Sequence, residues 1–544
     1  SGLFWVTTEI AGSAMGSGTA TASADALTYR YWFPRMLFGP GVRVEGFGFA
    51  NPGDAGATLR FVGYGANGQP LGDPAERQWP AGSQGAYQAD SLLDLTAAAE
   101  GWVEVTADQP GLSGMFLSQQ YTPGLGMDGA SVVLSGTSAG VFSRVAVGAD
   151  YETELLLANP GAAAVTLTLT LLGTGPDAEL GTWELPGRGL VHMNLSDLTA
   201  AKSSSTEGAV RVEADGPLIG NALVRHDAGT LSSLNLQDVA AASRRLYAPH
   251  VVNRPDYDTA VQLVNAGAEA AAVEVWIYRA DGTVGANTHT LILPRGRWVR
   301  LTAADLELPA DFEGWLRIDS AGAPLAGSVT FGQPDGRGYE STLPLPAEGL
   351  RDACFAQVAN GPVGGIEYYT GLAVLNPHPQ PVDISIGIFH PDGTPNGNVV
   401  TRTLQPGEKY VRLVQFMEGV GSLAPQGSGS LRVNAVRPVH SFALFGNTSF
   451  EFLSAVPATI PTVFRAVQNL AADPRGRVID VTFDVQSDSG GKEPDWASPT
   501  LRRYHRLLWG KPLPDGHSFE LIELHKGCYL YHSSDLGEFC LSSD

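Results

Sequence analysis

The chain is poor in cysteine and in basic residues, and it lacks long apolar runs. Three cysteines among 544 residues, Cys354, Cys528 and Cys540, exclude a disulfide scaffold and a cysteine-based zinc module. No run of 18 apolar residues occurs, so the sequence predicts no transmembrane segment. Basic residues number 34 against 56 acidic ones, for a formal net charge of −22. Nucleic acids and anionic membranes are therefore not expected as partners, because both are bound by clustered basic side chains.

Turn-forming residues are abundant. The chain has 66 glycines and 36 prolines, and 43% of its residues are hydrophobic while only 17% are charged. Glycine and proline interrupt helices and favour turns, and the apolar fraction is large enough to build cores. The composition therefore indicates turn-rich β structure. At about 100–200 residues per domain, the length predicts three to five domains.

An apolar strand that ends in asparagine recurs four times. The asparagines stand at intervals of 108, 106 and 111 residues: Asn51, Asn159, Asn265 and Asn376. Apolar side chains stand two and four residues before each one, as Leu157 and Leu155 do before Asn159. A period of two is typical of a strand with one buried face. The chain is thus built largely from an internal repeat of roughly 107 residues.

Turn signals return with the same period. Asn-Gly or Asp-Gly occurs at 67–68, 281–282 and 392–393, with Gly-Pro at 175–176 as a degenerate copy, and each such dipeptide favours a hairpin. A second turn begins at Pro80, Pro186, Pro294 and Pro406. Seven or eight short strands per repeat predict a two-sheet β-sandwich. The fold class is therefore all-β, a tandem array of four β-sandwich repeats at residues 31–140, 141–245, 246–350 and 351–462.

The N-terminal segment resembles the end of a repeat. Ser1-Gly2-Leu3-Phe4 matches Ser113-Gly114-Met115-Phe116 one period later. We therefore expect residues 1–30 to be the closing strands of a preceding, fifth repeat and the chain to be a fragment of a longer array. Tandem modules of this kind predict a long, semi-rigid rod.

Residues 31–462 resemble the immunoglobulin-like and fibronectin-type sandwich modules of secreted and surface proteins of bacteria. The resemblance rests on strand rhythm and turn placement. The Cys–Trp–Cys signature of true immunoglobulin domains is missing, so the resemblance implies architecture and no ligand.

The segment 463–544 differs from the repeats. It resembles the N-terminal part of an uncharacterised bacterial family known only as a domain of unknown function. The likeness is carried by Phe483-Asp484, Asp488, Asp495, residues 498–505, Leu508-Trp509, residues 511–516, residues 536–539 and residues 541–544. In that family the chain continues, which implies a truncated domain here. Ser498-Pro499 followed by helical spacing of Leu501, Tyr504 and Leu508 predicts one helix, so we expect a small α+β segment. A natural and an artificial junction at 462/463 both remain open.

Four features offer candidate chemistry, and each has a structural explanation. Residues 136–140 fit the G-x-S-x-G elbow, but a further strand and no helix is predicted after them. The Asp392 loop places oxygens at alternate positions, but no bidentate glutamate follows, as a calcium loop requires. The C-terminal segment concentrates acid–base groups without a metal-ligand spacing: His505, His517, His525, His532, Asp484, Asp488, Asp495 and Glu538. We therefore expect no catalytic, metal or cofactor-binding residues and no cofactor.

The fourth feature is aromatic. Trp102 and Trp315 occupy equivalent positions and are candidates for ligand stacking on sugar rings. Their counterparts are Ala209 and Ser430, so the position tolerates small residues, and the alternative is a half-exposed residue or a contact between repeats.

The leading hypothesis is a non-enzymatic, extracellular or cell-surface structural or adhesive protein that acts as a stalk, filament or spacer. A carbohydrate-binding array is the first alternative, with Trp79, Trp102, Trp298 and Trp315 as stacking residues. A carrier for a C-terminal enzymatic or defence-related module is the second. The expected partners are copies of the chain, neighbouring surface components or polysaccharide.

Overall fold

The computed structural model describes residues 29–459, except 110, 122–124, 174–176, 200–205, 228 and 334–338, together with short strands near both ends of the chain. The all-β prediction is confirmed, and the strands form sandwich-like repeats. Two compact units are present: the first comprises residues 1–29, 108–111 and 462–544, and the second comprises residues 30–107 and 112–461.

Two strands precede the repeats, β1 (Leu3–Thr7) and β2 (Gly18–Thr21). Repeat 1 then consists of eight strands: β3 (Tyr29–Phe38), β4 (Arg43–Ala50), β5 (Ala57–Tyr64), β6 (Pro70–Trp79), β7 (Gln84–Gln88), β8 (Ala99–Ala107), β9 (Ser113–Gln120) and β10 (Gly126–Ser131). A short helix, α1 (Ala89–Leu93), follows β7. The strand order is β3-β8-β5-β6 in one sheet and β10-β9-β4-β7 in the other.

The next three repeats follow the same plan. Repeat 2 contains β11 (Thr137–Val147), β12 (Tyr151–Ala158), β13 (Val165–Leu172), β14 (Ala178–Leu185), β15 (Leu190–Asn194), α2 (Leu195–Leu198), β16 (Thr206–His226), β17 (Leu231–Asn235) and β18 (Gln237–Asp238). Repeat 3 contains β19 (Arg245–Arg254), β20 (Tyr257–Asn265), β21 (Ala271–Arg279), β22 (His289–Leu293), β23 (Trp298–Leu301), β24 (Phe312–Gly322), β25 (Leu325–Gly332) and β26 (Glu340–Pro344). Repeat 4 contains β27 (Leu350–Phe355), β28 (Gly361–Val363), β29 (Ile366–Leu375), β30 (Val382–Phe389), β31 (Val400–Leu404), β32 (Lys409–Leu413), β33 (Ser430–Asn447) and β34 (Leu453–Pro457).

Long strands serve both sheets of a sandwich in repeats 2 and 4. In β16 the residues up to Ala214 pair with β11 and β13, and those from Ile219 onward pair with β12 and β17. β33 divides in the same way between β27 and β30 on one side and β29 and β34 on the other. Counting each half as a strand, these two repeats reproduce the topology of repeat 1.

The repeated asparagines tie each sandwich together. Asn51, Asn159, Asn265 and Asn376 are all buried. The side-chain oxygen of Asn159 accepts the N–H of Gly161 at 2.9 Å, and its Nδ2 donates to the carbonyls of Ala163 at 2.7 Å and Pro186 at 3.1 Å. Equivalent bonds form at the other three positions. The asparagine therefore closes its own turn and holds the distant proline turn, which is why the motif marks every repeat.

The four repeats close into a ring. Among the described residues, three contacts between repeats share one pattern: the first residue of β15, β32 or β7 donates its backbone N–H to the β5–β6, β21–β22 or β30–β31 hairpin, respectively, of the preceding repeat. These bonds are Leu190 N to Ala66 O (3.2 Å), Lys409 N to Ala280 O (2.7 Å) and Gln84 N to Pro391 O (2.8 Å). The last bond joins repeat 1 to repeat 4. Head-to-tail contacts whose rotation closes form rings, so the predicted extended rod is wrong for the described repeats.

The contact between repeats 2 and 3 includes an ion pair. The hairpin tip of repeat 2, residues 174–176, lies outside the described residues. Beside it, Arg297 of repeat 3 forms an ion pair with Asp177 of repeat 2 at 3.2 Å.

Asp128 of β10 lies where all four repeats meet. Its carboxylate accepts the N–H of Ser233 in repeat 2 at 2.7 Å, the hydroxyl of Ser341 in repeat 3 at 2.8 Å and the N–H of Ala455 in repeat 4 at 3.1 Å. The strands β10, β17, β26 and β34, one from each repeat, therefore surround the centre of the ring. Asp128 is fully buried there.

The other compact unit combines the two ends of the chain. β1 and β2 pair with each other, and β1 also pairs with β39 (Gly537–Ser543). With β37 (Phe519–His525) and β38 (Cys528–Ser533) they form a five-stranded antiparallel sheet in the order β2-β1-β39-β38-β37. β35 (Phe464–Asn469) and β36 (Asp480–Val485) form a separate hairpin. The helix predicted at 498–509 lies outside the described residues.

Candidate functional site

Trp102 and Trp315 lie at contacts between repeats. Trp102 is 0% exposed and Trp315 is 4% exposed. The indole of Trp102 donates to the carbonyl of Arg188 at 2.8 Å, and that of Trp315 donates to the carbonyl of Gly407 at 2.9 Å. Both acceptors belong to the proline turn of the next repeat. Burial leaves neither ring face open to a sugar, so the structure corrects the ligand-stacking expectation and makes both residues parts of the ring.

The interface between repeats 2 and 3 explains why the residue equivalent to these tryptophans is small in repeat 2. At Ala209 in repeat 2, the space is filled from repeat 3 by Trp298, which packs with Ala209 and Leu172. The indole of Trp298 donates back to the carbonyl of Ser143 at 2.8 Å. One tryptophan thus fills this interface from the opposite side. The fourth tryptophan of the carbohydrate alternative, Trp79, is also buried, so none of the four offers a stacking surface.

One polar position recurs in or just after the first strand of every repeat, two residues after a mostly aromatic core position. The four residues are Arg35, Arg144, His250 and Gln357. Arg35 forms an ion pair with Glu154 of repeat 2, and Arg144 forms one with Glu340 of repeat 3. His250 accepts a hydrogen bond from Lys409 of repeat 4 at 2.9 Å. Gln357 instead bonds Gly427 within its own repeat. Sequence reasoning missed this position because its residue type changes from copy to copy.

Glu154 forms ion pairs with three arginines at the contact between repeats 1 and 2. Besides Arg35, it contacts Arg43 at 3.1 Å and Arg225 at 2.9 Å. Burial alone would raise the pKa of Glu154, but the three guanidinium groups outweigh it and lower that pKa to about 2. The carboxylate therefore stays ionised and holds two repeats together.

Lys409 is the buried amine at the contact between repeats 3 and 4, which we call the 3–4 interface. Its Nζ donates to Gly314 O at 2.8 Å and to His250 Nδ1 at 2.9 Å, and it lies 3.5 Å from a Glu313 oxygen. Burial lowers the pKa of Lys409 to about 8, against the attraction of Glu313. Burial and the nearby ammonium likewise hold the pKa of His250 well below its usual value. Three partners occupy the ammonium protons, so this arrangement fixes two repeats and presents no free nucleophile.

A row of stacked rings crosses the 3–4 interface toward the surface, and we call it the aromatic ladder. It consists of five rings in order: Phe442, Phe331, Tyr257, Tyr339 and Phe450. Successive ring centroids are 5.3, 6.3, 6.1 and 5.6 Å apart, with interplanar angles of 28°, 13°, 26° and 27°. Its inner end is buried, while Phe450 at its outer end is 53% exposed. The sequence shows no sign of it, because its members come from five different strands and loops.

The remaining sequence candidates have structural roles or lie outside the description. Ser138 lies inside β11, which continues to Val147, so no strand–turn–helix elbow forms. Asp392 accepts the N–H of Thr394 at 2.9 Å within its hairpin turn. Burial raises the pKa of the Cys354 thiol to about 11, which keeps it protonated. The C-terminal histidines and carboxylates lie outside the residues whose side chains are described.

Among the described residues, no group of three or more His, Cys, Asp and Glu side chains is arranged to hold a metal ion. The buried charges noted above are instead paired across repeat contacts.

Residues 479–544 match a family of unknown function (DUF6994). This match covers the C-terminal segment and none of the ring. No curated protein matches the chain significantly.

Solved structures give distant likenesses. The chain is 14% identical to protein 1070 of Thermotoga maritima, over 19% of this chain and 95% of that one, with a TM-score of 0.18. It is 12% identical to a glycoside hydrolase family 32 protein from Bifidobacterium adolescentis, over 76% and 99%, with a TM-score of 0.13. It is 13% identical to a tetra-tandem repeat in the extending region of a large adhesion protein, over 76% and 93%, with a TM-score of 0.10. TM-scores this low establish neither a shared fold nor a shared function.

Proposed function

We propose that the protein is a non-enzymatic structural or adhesive component of the bacterial cell surface or extracellular space. In this proposal the four repeats act as a rigid, closed platform. The observation that carries it is the closing bond from Gln84 to Pro391, which repeats between repeats 4 and 1 the contact found at two other junctions.

The buried polar groups support the same proposal. Glu154, Glu340 and Lys409 each pair with a residue of a neighbouring repeat. Charged side chains that are desolvated and fully paired stabilise one arrangement and are costly to separate. These three buried charged groups thus help to hold the ring together.

Ring closure also bears on self-association. The head-to-tail faces of the repeats are used within one chain, so filament growth through these faces is disfavoured. Partners on a neighbouring surface component or a polysaccharide would have to contact the outside of the ring. No helix among the described residues is long and apolar enough to cross a membrane.

The test is peptide mapping of the native protein by mass spectrometry after cell fractionation and mild protease treatment of intact cells. We expect peptides from the repeats and from residues 463–544, including one that spans 462/463, in the surface or secreted fraction. Repeat peptides confined to the cytosol would overturn the location. A hydrolytic activity mapped to residues 31–462 would overturn the non-enzymatic assignment.

The alternative, in which the repeats carry a functional C-terminal module, predicts a different result in the same experiment. An enzymatic or defence-related C-terminal module requires the spanning peptide and an activity that is lost when only residues 463–544 are altered. An artificial junction would instead leave the two sets of peptides in different fractions.

A further inference from the structure

Phe450 has an unfavourable backbone conformation. Its φ is +56°, in the left-handed region that non-glycine residues rarely adopt. The turn that carries it is closed by Asn447, which donates to a Glu451 carboxylate oxygen at 2.5 Å and accepts the Glu451 N–H at 2.9 Å. One face of the ring lies on Tyr339, and the residue is still 53% exposed. Strain of this kind at a surface aromatic that adds little burial points to function.

The ladder supports that ring from behind. Tyr339, which stacks against Phe450, is itself buried, and its hydroxyl donates to the Asp256 carbonyl at 2.8 Å. Tyr257 and Phe331 continue the stack into the 3–4 interface. Because Phe450 belongs to repeat 4 and Tyr339 to repeat 3, the packing of these two repeats positions the stacked pair.

The geometry limits the class of ligand. Parallel rings leave one flat outer face, whereas recognition of a cationic group uses rings that enclose it on several sides. Thr448, Ser449 and Glu451, the chain neighbours of Phe450, are exposed and carry hydroxyl and carboxylate groups. A pyranose has an apolar C–H face and a hydroxyl edge, which fit an aromatic face bordered by polar groups. The Glu451 carboxylate and the net charge of −22 oppose an anionic polymer.

We propose that Phe450, supported by Tyr339, is a binding site for neutral polysaccharide. The site extends the proposed adhesive function by naming its ligand class, and it rests on that function only for its biological setting. If the closed array of four repeats forms and reaches the cell surface but binds no glycan, the proposed site is wrong and the proposed structural function is unaffected.

The test is native affinity electrophoresis of the full chain in gels containing galactomannan, glucomannan or hydroxyethyl-cellulose, with alginate as the anionic comparison. We expect at least one neutral polymer to retard the wild type. Phe450→Gly should weaken that retardation at least tenfold. Glycine adopts φ +56° without strain, so this variant should unfold at the same temperature as the wild type or higher.

Two further variants sharpen the result. Phe416 is 68% exposed in the same repeat and has no stacking ring described for it, so Phe416→Ala should bind like the wild type. Phe450→Trp keeps a flat ring and should retain binding. No retardation by any neutral polymer, retardation by alginate alone, or unchanged binding by Phe450→Gly would each overturn the site. Dimerisation that Phe450→Gly abolishes, without glycan binding, would assign the ring to a contact between copies and overturn it too.

Discussion

The side-chain amide of Gln84 donates a hydrogen bond to the carbonyl of Ala356, 3.1 Å away, across a sequence separation of 272 residues. Trp298 makes the equivalent bond to Ser143 between repeats 3 and 2. Ala356 and Ser143 occupy equivalent positions, each directly after a buried phenylalanine of the repeat's first strand. The contact that joins consecutive repeats therefore also joins the last repeat to the first.

Gly393 tests the closing contact directly. A Cβ built on Gly393, whose φ is +84°, would lie 2.8 Å from the backbone of Gly82 in repeat 1. Gly393→Ala should therefore lose about 1–2 kcal/mol from left-handed strain and about 1–3 kcal/mol more from overpacking, measured by denaturant unfolding. Gly364, with φ +60° and nothing within 4 Å of its built Cβ, supplies the control. Equal losses in Gly393→Ala and Gly364→Ala would contradict a packed junction.

Trp102 should behave as a core residue. Trp102→Ala removes a fully buried indole and its bond to Arg188, so we expect a loss of about 3–5 kcal/mol in unfolding free energy. Ala209→Trp at the equivalent position should also destabilise, because Trp298 already fills that space. The half-buried Trp276 is the matched control, and Trp276→Ala should cost clearly less. A stable Trp102→Ala that loses glycan retention would restore the carbohydrate-stacking role.

Glu154 predicts a loss of stability in acid. Its folded pKa of about 2 lies below the usual value of 4.5, so its contribution is present above pH 4.5 and is lost as the pH falls toward 2. At about 1.4 kcal/mol per pKa unit, the full effect is about 3 kcal/mol. Unfolding free energy measured from pH 6 to pH 2.5 should fall less steeply in Glu154→Gln. Parallel profiles for the two proteins would show that the arginines do not hold the carboxylate ionised.

For Asp128 we expect the unfolding free energy to fall as the pH rises, which is opposite to the effect of Glu154. Burial outweighs the hydrogen bonds from Ser233 and Ser341 and raises the pKa of Asp128 from 3.8 to about 7. A raised folded pKa means that its contribution is full below pH 3.8 and is lost as the pH rises through 7. Asp128→Asn should flatten the profile between pH 4 and pH 7, measured by denaturant unfolding. If Asp128→Asn leaves that slope unchanged, the carboxyl group does not titrate at the ring centre.

The turns, hairpins and buried strand faces could be predicted from the sequence. Asn159 and its three counterparts predicted the turns, since a buried side-chain amide can satisfy backbone groups there. Leu155 and Leu157 predicted a buried strand face from their period of two. Gly282 and Gly393 predicted hairpins because Asp-Gly supplies a positive φ. These features depend on residues close in sequence, and they sufficed for an all-β chain of four sandwich repeats.

Ring closure was decided only by the tertiary structure. Nothing in the repeat pattern distinguishes a rod from a ring, because the difference lies in the small rotation between neighbouring repeats, which accumulates over four copies. The partners of Arg35, Lys409 and Asp128 lie in other repeats, and their residue types vary from copy to copy. The sequence by itself determined the repeating unit through local hydrogen bonding and period-two burial. The packing of sandwich on sandwich decided that Trp102 is buried and that Phe450 is exposed.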